Sequence, residues 1–130
     1  MNSYLLDSNI LIEYLNGHDK IVPYLDLISS KGNCIISIIS MVELISAPQL
    51  TKAEIQNILS FLGNFQKVDL TDDIAFKAAE IRRRYKLKLP DAVIAATAVI
   101  SDAILVSGDE VFNKLKSIDW FNPFIPTITE

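Results

Sequence analysis

Residues 4–12 read Tyr4-Leu5-Leu6-Asp7-Ser8-Asn9-Ile10-Leu11-Ile12, and the order of residue types in this stretch decides the fold class. Tyr4-Leu5-Leu6 predicts a short buried strand that ends on an acid. Ile10, Leu11, Tyr14 and Leu15 then recur at helical spacing until Asn16-Gly17 interrupts them. The opening unit is therefore strand, acid, helix.

The same alternation continues outward from it. Ile21, Leu25 and Ile28 mark a second helix that runs to Ser29-Ser30-Lys31-Gly32, and Cys34-Ile35-Ile36-Ser37 reads as another buried strand. Glu43 falls inside the next helix, which Pro48 ends. Thr51 to Leu62 supplies another, closed by Gly63-Asn64. Val68-Asp69-Leu70 predicts a third strand, and Thr71-Asp72-Asp73 is an acidic start for a long helix carrying Ile74, Ala78, Ile81 and Tyr85. Pro90 suits the first turn of a helix from Asp91 to about Ile100, whose Ala-Val-Ile content is apolar on nearly all sides and so has to be central. Ala103-Ile104-Leu105-Val106 reads as a fourth strand and Ser107-Gly108-Asp109 as a turn into a short helix. Phe124-Ile125 reads as a last edge strand before a frayed tail. Short, continuously apolar strands alternating with helices predict an α/β fold of three layers, α/β/α, with a central, mainly parallel sheet of four to five short strands. In such sheets a ligand lies at the carboxyl ends of the strands, where Asp7 and Asp109 fall.

A chain of 130 residues, half of them apolar, has enough core for one domain spanning 1–130. The single cysteine, Cys34, excludes a disulfide framework and a cysteine-rich zinc site, and suits a reducing compartment, so the expected location is cytoplasmic. Neither a signal peptide nor a membrane-spanning run is present in the sequence. The net charge of −4 argues against tight non-specific binding to a polyphosphate. It leaves a nuclease open, because metal ions on a carboxylate cluster reverse the local field.

Four acids are the candidates for chemistry: Asp7, Glu43, Asp91 and Asp109. Converging carboxylates repel one another, and a divalent cation is the natural counterweight. Mg²⁺ and Mn²⁺ prefer oxygen ligands, and such a site can activate a water and orient a phosphate, which fits phosphodiester hydrolysis. Each acid also has a structural role open to it. Asp7 could cap the helix at Ser8-Asn9, and Glu43 stands three residues after Ser40, the spacing of a capping box. Asp91 complements a helix dipole, and Asp109 after Gly108 could be an N-cap. What tips the balance is their joint occurrence in apolar surroundings, where Asp91 in particular is costly to bury alone.

Leu5-Leu6-Asp7-Ser8-Asn9-Ile10-Leu11-Ile12, Met41-Val42-Glu43-Leu44 and Leu89-Pro90-Asp91-Ala92-Val93-Ile94-Ala95-Ala96-Thr97-Ala98 together resemble the PIN-domain family, and most of all the VapC-type toxin ribonucleases of type II toxin–antitoxin systems. The likeness spans nearly the whole chain. It implies a Mg²⁺- or Mn²⁺-dependent endoribonuclease in which Asp7, Asp91 and Asp109 hold one or two ions per subunit, with Glu43 binding directly or through water. It also implies that Ser8, Asn9 and Ser107 orient the carboxylates or water. Ser8 stands where the family more often has threonine. Ser107-Gly108-Asp109-Glu110 replaces a common Thr-x-Asn/Asp pattern, so Glu110 is a rival for the fourth acid. The partners implied are RNA, a small cognate antitoxin and a second copy of the chain in a homodimer.

Arg82, Arg83, Arg84, Lys86 and Lys88 gather just before Asp91. They read either as a solvated helix end that complements the dipole or as contacts to RNA phosphates. Trp120, Phe121 and Phe124 read as edge-sheet packing rather than a stacking platform, since no basic residue is interleaved. Ile10, Leu11, Tyr14, Leu15, Ile21, Tyr24, Leu25 and Ile28 offer more apolar surface than one core contact needs, which suits an antitoxin groove beside ordinary packing. Two other function classes compete: a catalytically silent PIN-like module that binds RNA or protein, and a phosphoacceptor receiver domain. The four acids count against the first. Against the second, Asp7 is followed by Ser8-Asn9 rather than another acid, and no lysine follows Val106-Ser107.

Overall fold

A computed structural model describes residues 1–126. Its elements run β1 (Ser3–Leu6), α1 (Ser8–Leu15), α2 (Ile21–Lys31), β2 (Asn33–Ser37), α3 (Ile38–Leu44), α4 (Lys52–Leu62), β3 (Gln66–Val68), α5 (Asp72–Tyr85), α6 (Leu89–Ile100), β4 (Ile104–Val106), a short 3₁₀ helix (Glu110–Lys114) and β5 (Trp120–Phe121). The five strands are ordered β3-β2-β1-β4-β5 and every pairing is parallel. Among the described residues no helix is long and apolar enough to cross a membrane.

The strands build two cores because successive side chains point to opposite faces. Leu5 lies in register with Ile35 on one side and Leu105 on the other, and this row faces a cluster made with α5, α6 and Phe112. Leu6 pairs with Val106, and with Ile36 it faces a second cluster built from α1, α2, Leu44 and Leu62. The sheet is thus covered on both faces, as parallel strands require.

Helix α6 is the most deeply enclosed element. All seven residues from Ala92 to Ala98 are buried, and the buried hydroxyl of Thr97 donates to the Val93 carbonyl at 2.7 Å. Four of those seven are alanine, which lets α5 and the sheet approach the helix closely. Its N-terminus is Leu89 rather than Asp91, with Pro90 in the first turn.

The predicted edges shift in three places. The third strand occupies 66–68 rather than 68–70, and Leu70 is left about half exposed. The last strand is Trp120–Phe121 rather than Phe124-Ile125. Leu105 donates its N–H to the Asp119 carbonyl and Ser107 to that of Phe121, so these residues take the free edge of β4. Phe124 lies just beyond in a turn, and the predicted frayed tail past residue 126 is outside the described residues. The Ser40–Glu43 capping box does not form. Ser37 caps α3 by accepting the Ile39 N–H, which puts Ser40 inside the helix, fully buried, and Glu43 on its exposed side. The cap falls to Ser37 because it ends β2, leaving no room for a loop before α3.

The apolar stripe of the early helices divides. Ile10, Leu11, Ile21, Leu25 and Ile28 are core, whereas Ile12, Leu15 and Leu27 stay largely exposed. Since Ala95 is fully buried, with the core packed around it, Ala95→Leu is expected to lower stability by about 1–3 kcal/mol, read as a lower urea midpoint with an unchanged slope. An unaltered midpoint would contradict the close enclosure of this helix.

Candidate active site

In the order β3-β2-β1-β4-β5 the direction of winding reverses at β1 and β4, and the carboxyl ends of these two strands border a crevice. Asp7 follows β1, and Ser107-Gly108-Asp109 follows β4. Helix α6 leads into β4 and therefore runs against the strands, which brings its first turn, with Asp91, to the same edge. Helix α3 leaves β2 at that edge and carries Glu43 in its second turn.

Asp7 is the hub. It is 7% exposed and caps α1, its Oδ1 accepting the Ser8 N–H at 2.8 Å. Its Oδ2 accepts the Ser107 hydroxyl at 2.7 Å and, more weakly, the Asn9 amide at 3.4 Å. The capping and functional readings of Asp7 are therefore compatible, because each uses a different oxygen. Ser107 is fully buried, and its Oγ also accepts the Asp109 N–H at 3.0 Å. Asn9 donates to Ser107 Oγ at 3.3 Å and accepts the Gly108 N–H at 3.0 Å. Ser8 touches Asp7 through its backbone N–H, a contact that threonine would keep. Asp109 caps the 3₁₀ helix by accepting the Val111 N–H, while Glu110 is exposed in that helix's first turn.

The acids sense one another. Burial, reinforced by the charges of Glu43 and Asp91, pushes the Asp7 carboxyl from its ordinary 3.8 up to about 6, against the lowering pull of its bonds from Ser107 and Ser8. Asp91 is also raised, first by burial and then by Asp109, with Lys88 opposing. Four carboxylates are thus linked in a chain of repulsion, and Asp109 rather than Glu110 is the one that Asp91 feels. Among the described residues the ion pair found is Lys77–Glu80, on the surface of α5. No three acids among the described residues lie close enough to enclose an ion as they stand. The donor set is nonetheless that of a hard divalent cation: oxygens only, with surplus negative charge and no arginine or lysine bonded to it. Of the basic run, Lys88 is the member whose charge reaches Asp91. Arg82 bonds the Leu87 carbonyl, and Arg84 lies over the Tyr85 ring.

Gly108 and Phe124 were not visible as site residues in the sequence. A Cβ on Gly108 would sit 2.6 Å from the Phe124 ring, so the ring backs the acidic turn directly. Phe124 is in turn held edge-on by His18, and its carbonyl lies 3.5 Å from Lys20 Nζ. A glycine after a strand carries no such signal by itself. Trp120 packs against the core as expected of edge-sheet packing, and its Nε1 donates to the Ser107 carbonyl at 3.0 Å.

The PIN domain family model matches residues 4–118. This chain belongs to the PIN-domain family. Ribonuclease VapC10 of Mycobacterium tuberculosis is 32% identical over 108 residues, which cover 79% of this chain and 80% of that protein. A toxin–antitoxin complex from Klebsiella pneumoniae contains a chain superposing with a TM-score of 0.77 at 29% identity, covering 88% of this PIN domain and 94% of that chain. VapBC2 from Rickettsia felis, bound to a DNA fragment from their promoter, superposes at 0.79 with 24% identity over 92% and 98%, a likeness of fold. The all-parallel five-stranded sheet with helices on both faces is thus the PIN-like α/β/α architecture, shared with VapC-type toxins.

Two measurements probe the site's geometry. Between pH 3.8 and about 6 folded Asp7 keeps a proton that the unfolded chain releases, so its contribution to stability falls as pH rises through that window. The loss amounts to about 2–3 kcal/mol at roughly 1.4 kcal/mol per unit. Melting series from pH 4 to 7 should show wild type losing ground to Asp7→Asn by this amount, whereas parallel curves would mean that Asp7 is not buried in this way. Gly108→Ala should destabilise through the Phe124 clash and Phe124→Ala should relieve it, with a coupling of about 0.5–3 kcal/mol in a double-mutant cycle.

Proposed function

We propose that this chain is a Mg²⁺- or Mn²⁺-dependent endoribonuclease, the toxin of a VapBC-type pair, with residues 1–130 acting as one nuclease domain. The observation that carries the reading is the placement of Asp7, Glu43, Asp91 and Asp109 on elements that meet at the carboxyl edge of the sheet, with Asp7 buried there. The ribonuclease name of the VapC10 relative supports it. Asp7, Asp91 and Asp109 hold one or two ions per subunit, and Glu43 binds directly or through water. When bound, the ion supplies the positive charge that activates a water and offsets the phosphate. Ser107 and Asn9 fix the rotamer of Asp7, and Ser8 presents a backbone N–H to its other oxygen. The basic run Arg82, Arg83, Arg84, Lys86 and Lys88 guides RNA phosphates toward Asp91, with Lys88 nearest in charge. A silent binding module explains the family likeness as well, but gives no reason for four acids gathered at one edge of the sheet, one of them buried.

For partners, a groove of about 500 Å³ between α1 and α4, lined by Ile12, Leu15, Leu44, Leu50 and Ile58 with Asn16, Gln49, Glu54 and Asn57 beside them, suits an amphipathic segment of the antitoxin. The names of the toxin–antitoxin structures support such a partner. The chain acts as a homodimer, and the single thiol of Cys34, half-buried with burial raising its pKa, suits the reducing cytoplasm.

Purified protein is expected to cleave single-stranded RNA with Mg²⁺ or Mn²⁺ and to stop when the ions are chelated. Asp91→Asn should remove cleavage while leaving the circular dichroism spectrum unchanged, and Ser107→Ala should lower the rate by ~10–100-fold. RNA that is bound but never cut under these conditions would favour the silent module. Growth arrest on expression, relieved by a neighbouring small open reading frame, tests the toxin role separately.

A further inference from the structure

The turn that carries the fourth acid is held from two sides that differ in kind. On one side are polar groups of the site itself: Asn9 accepts the Gly108 N–H at 3.0 Å, and Ser107 Oγ accepts the Asp109 N–H at 3.0 Å. On the other is a segment later in the chain. Ser107 donates its N–H to the Phe121 carbonyl at 3.1 Å, and its own carbonyl accepts the Trp120 Nε1–H at 3.0 Å. These bonds fix Ser107. Gly108 meets a ring instead, since a Cβ placed on it would lie 2.6 Å from two carbons of Phe124. The Gly108 backbone is outside the left-handed region, so the missing side chain serves the ring contact and not the shape of the turn.

Phe124 is fixed in its turn by several constraints. Asn122 Oδ1 accepts its N–H at 2.9 Å, and Pro123 limits the backbone before it. Its ring meets His18 edge-on with the centroids 5.3 Å apart, and its carbonyl lies 3.5 Å from Lys20 Nζ. The ring borders the core on the α1 and α2 face of the sheet but stays partly exposed. A side chain that only filled that core would be enclosed by it.

The lever from this ring to the acid is one residue long. Asp109 follows Gly108 directly and spends Oδ1 on the Val111 N–H at 3.0 Å, so Oδ2 is the oxygen available to a cation. The bonds to Asn9 and Ser107 restrain the N–H groups of residues 108 and 109, and the ring closes the Cα face of Gly108 that they leave open. We propose that Phe124 is a positioning residue for the metal site, holding Asp109 toward the ion through its contact with Gly108. The inference rests on the divalent-cation reading of the four acids and adds to it a residue that bears no charge and ligates nothing. Groups that orient a metal ligand without binding the metal set affinity by roughly 10–100-fold.

Titration calorimetry with Mn²⁺ alone, below the melting temperature of each variant, separates positioning from packing. Phe124→Ala should bind Mn²⁺ more weakly than wild type by roughly tenfold or more, whereas Phe124→Tyr, which keeps the ring, should bind as wild type does. In an Asp109→Ala background Phe124→Ala should cost nothing further, because the acid through which the ring acts is gone. If Phe124→Ala does not fold, Phe124→Leu takes its place with the same expectation, since it supplies apolar bulk to the core and no ring to Gly108. Wild-type affinity for Mn²⁺ in the folded Ala or Leu variant, however far its melting temperature had fallen, would overturn the inference and leave the metal site standing. An equal further loss in the Asp109→Ala background would do the same. Folded wild type that binds no Mn²⁺ would overturn the metal reading and this inference with it.

Discussion

Helix α6 is apolar around its whole circumference, and such a helix is stable in water only when other elements enclose it. Here the sheet lies on one side and α5 on another, and the alanines allow both to approach closely. Because α6 leads into β4 in a parallel sheet, it has to run against the strands. Its first turn consequently emerges where the strands end, and Asp91 emerges with it. The position of the acidic site follows from the burial of this one helix: an acid at the start of α6 meets an acid at the end of β1.

That meeting costs stability. A carboxylate 7% exposed beside two others is held in place by a serine hydroxyl, an asparagine amide and a backbone N–H, all of which are hydrogen-bond donors and none of which carries a positive charge. An arginine would have neutralised Asp7 more cheaply for the fold. Neutral donors orient the carboxylate while leaving its charge unspent, the condition under which a cation can bind.

Much of this was readable from residue patterns. The alternation of strands and helices, the parallel sheet and the centrality of the 91–100 helix came from apolar periodicity, which burial enforces along whole segments. Short edge strands were displaced, because two or three residues carry too little pattern. Phe124-Ile125 looks as much like a strand as Trp120-Phe121, and the free hydrogen bonds of β4 choose between them. The spacing of Ser40 and Glu43 suggested a cap, yet the chain enters α3 three residues earlier, at Ser37. Asp7 and Asp91 stood out through their neighbours. The backing of Gly108 by Phe124 did not, since it joins residues from separate turns and leaves no local trace.

That contact also orders events in time. Strand β4 can join β1 as soon as both exist, but the acidic turn after it rests on Trp120 and Phe124, which are synthesised later. A nascent chain folding from its N-terminal end would carry the other three acids in place and the fourth unsupported. Assembly of the whole carboxylate cluster thus waits for residue 124, long after the first acid of the site has been made.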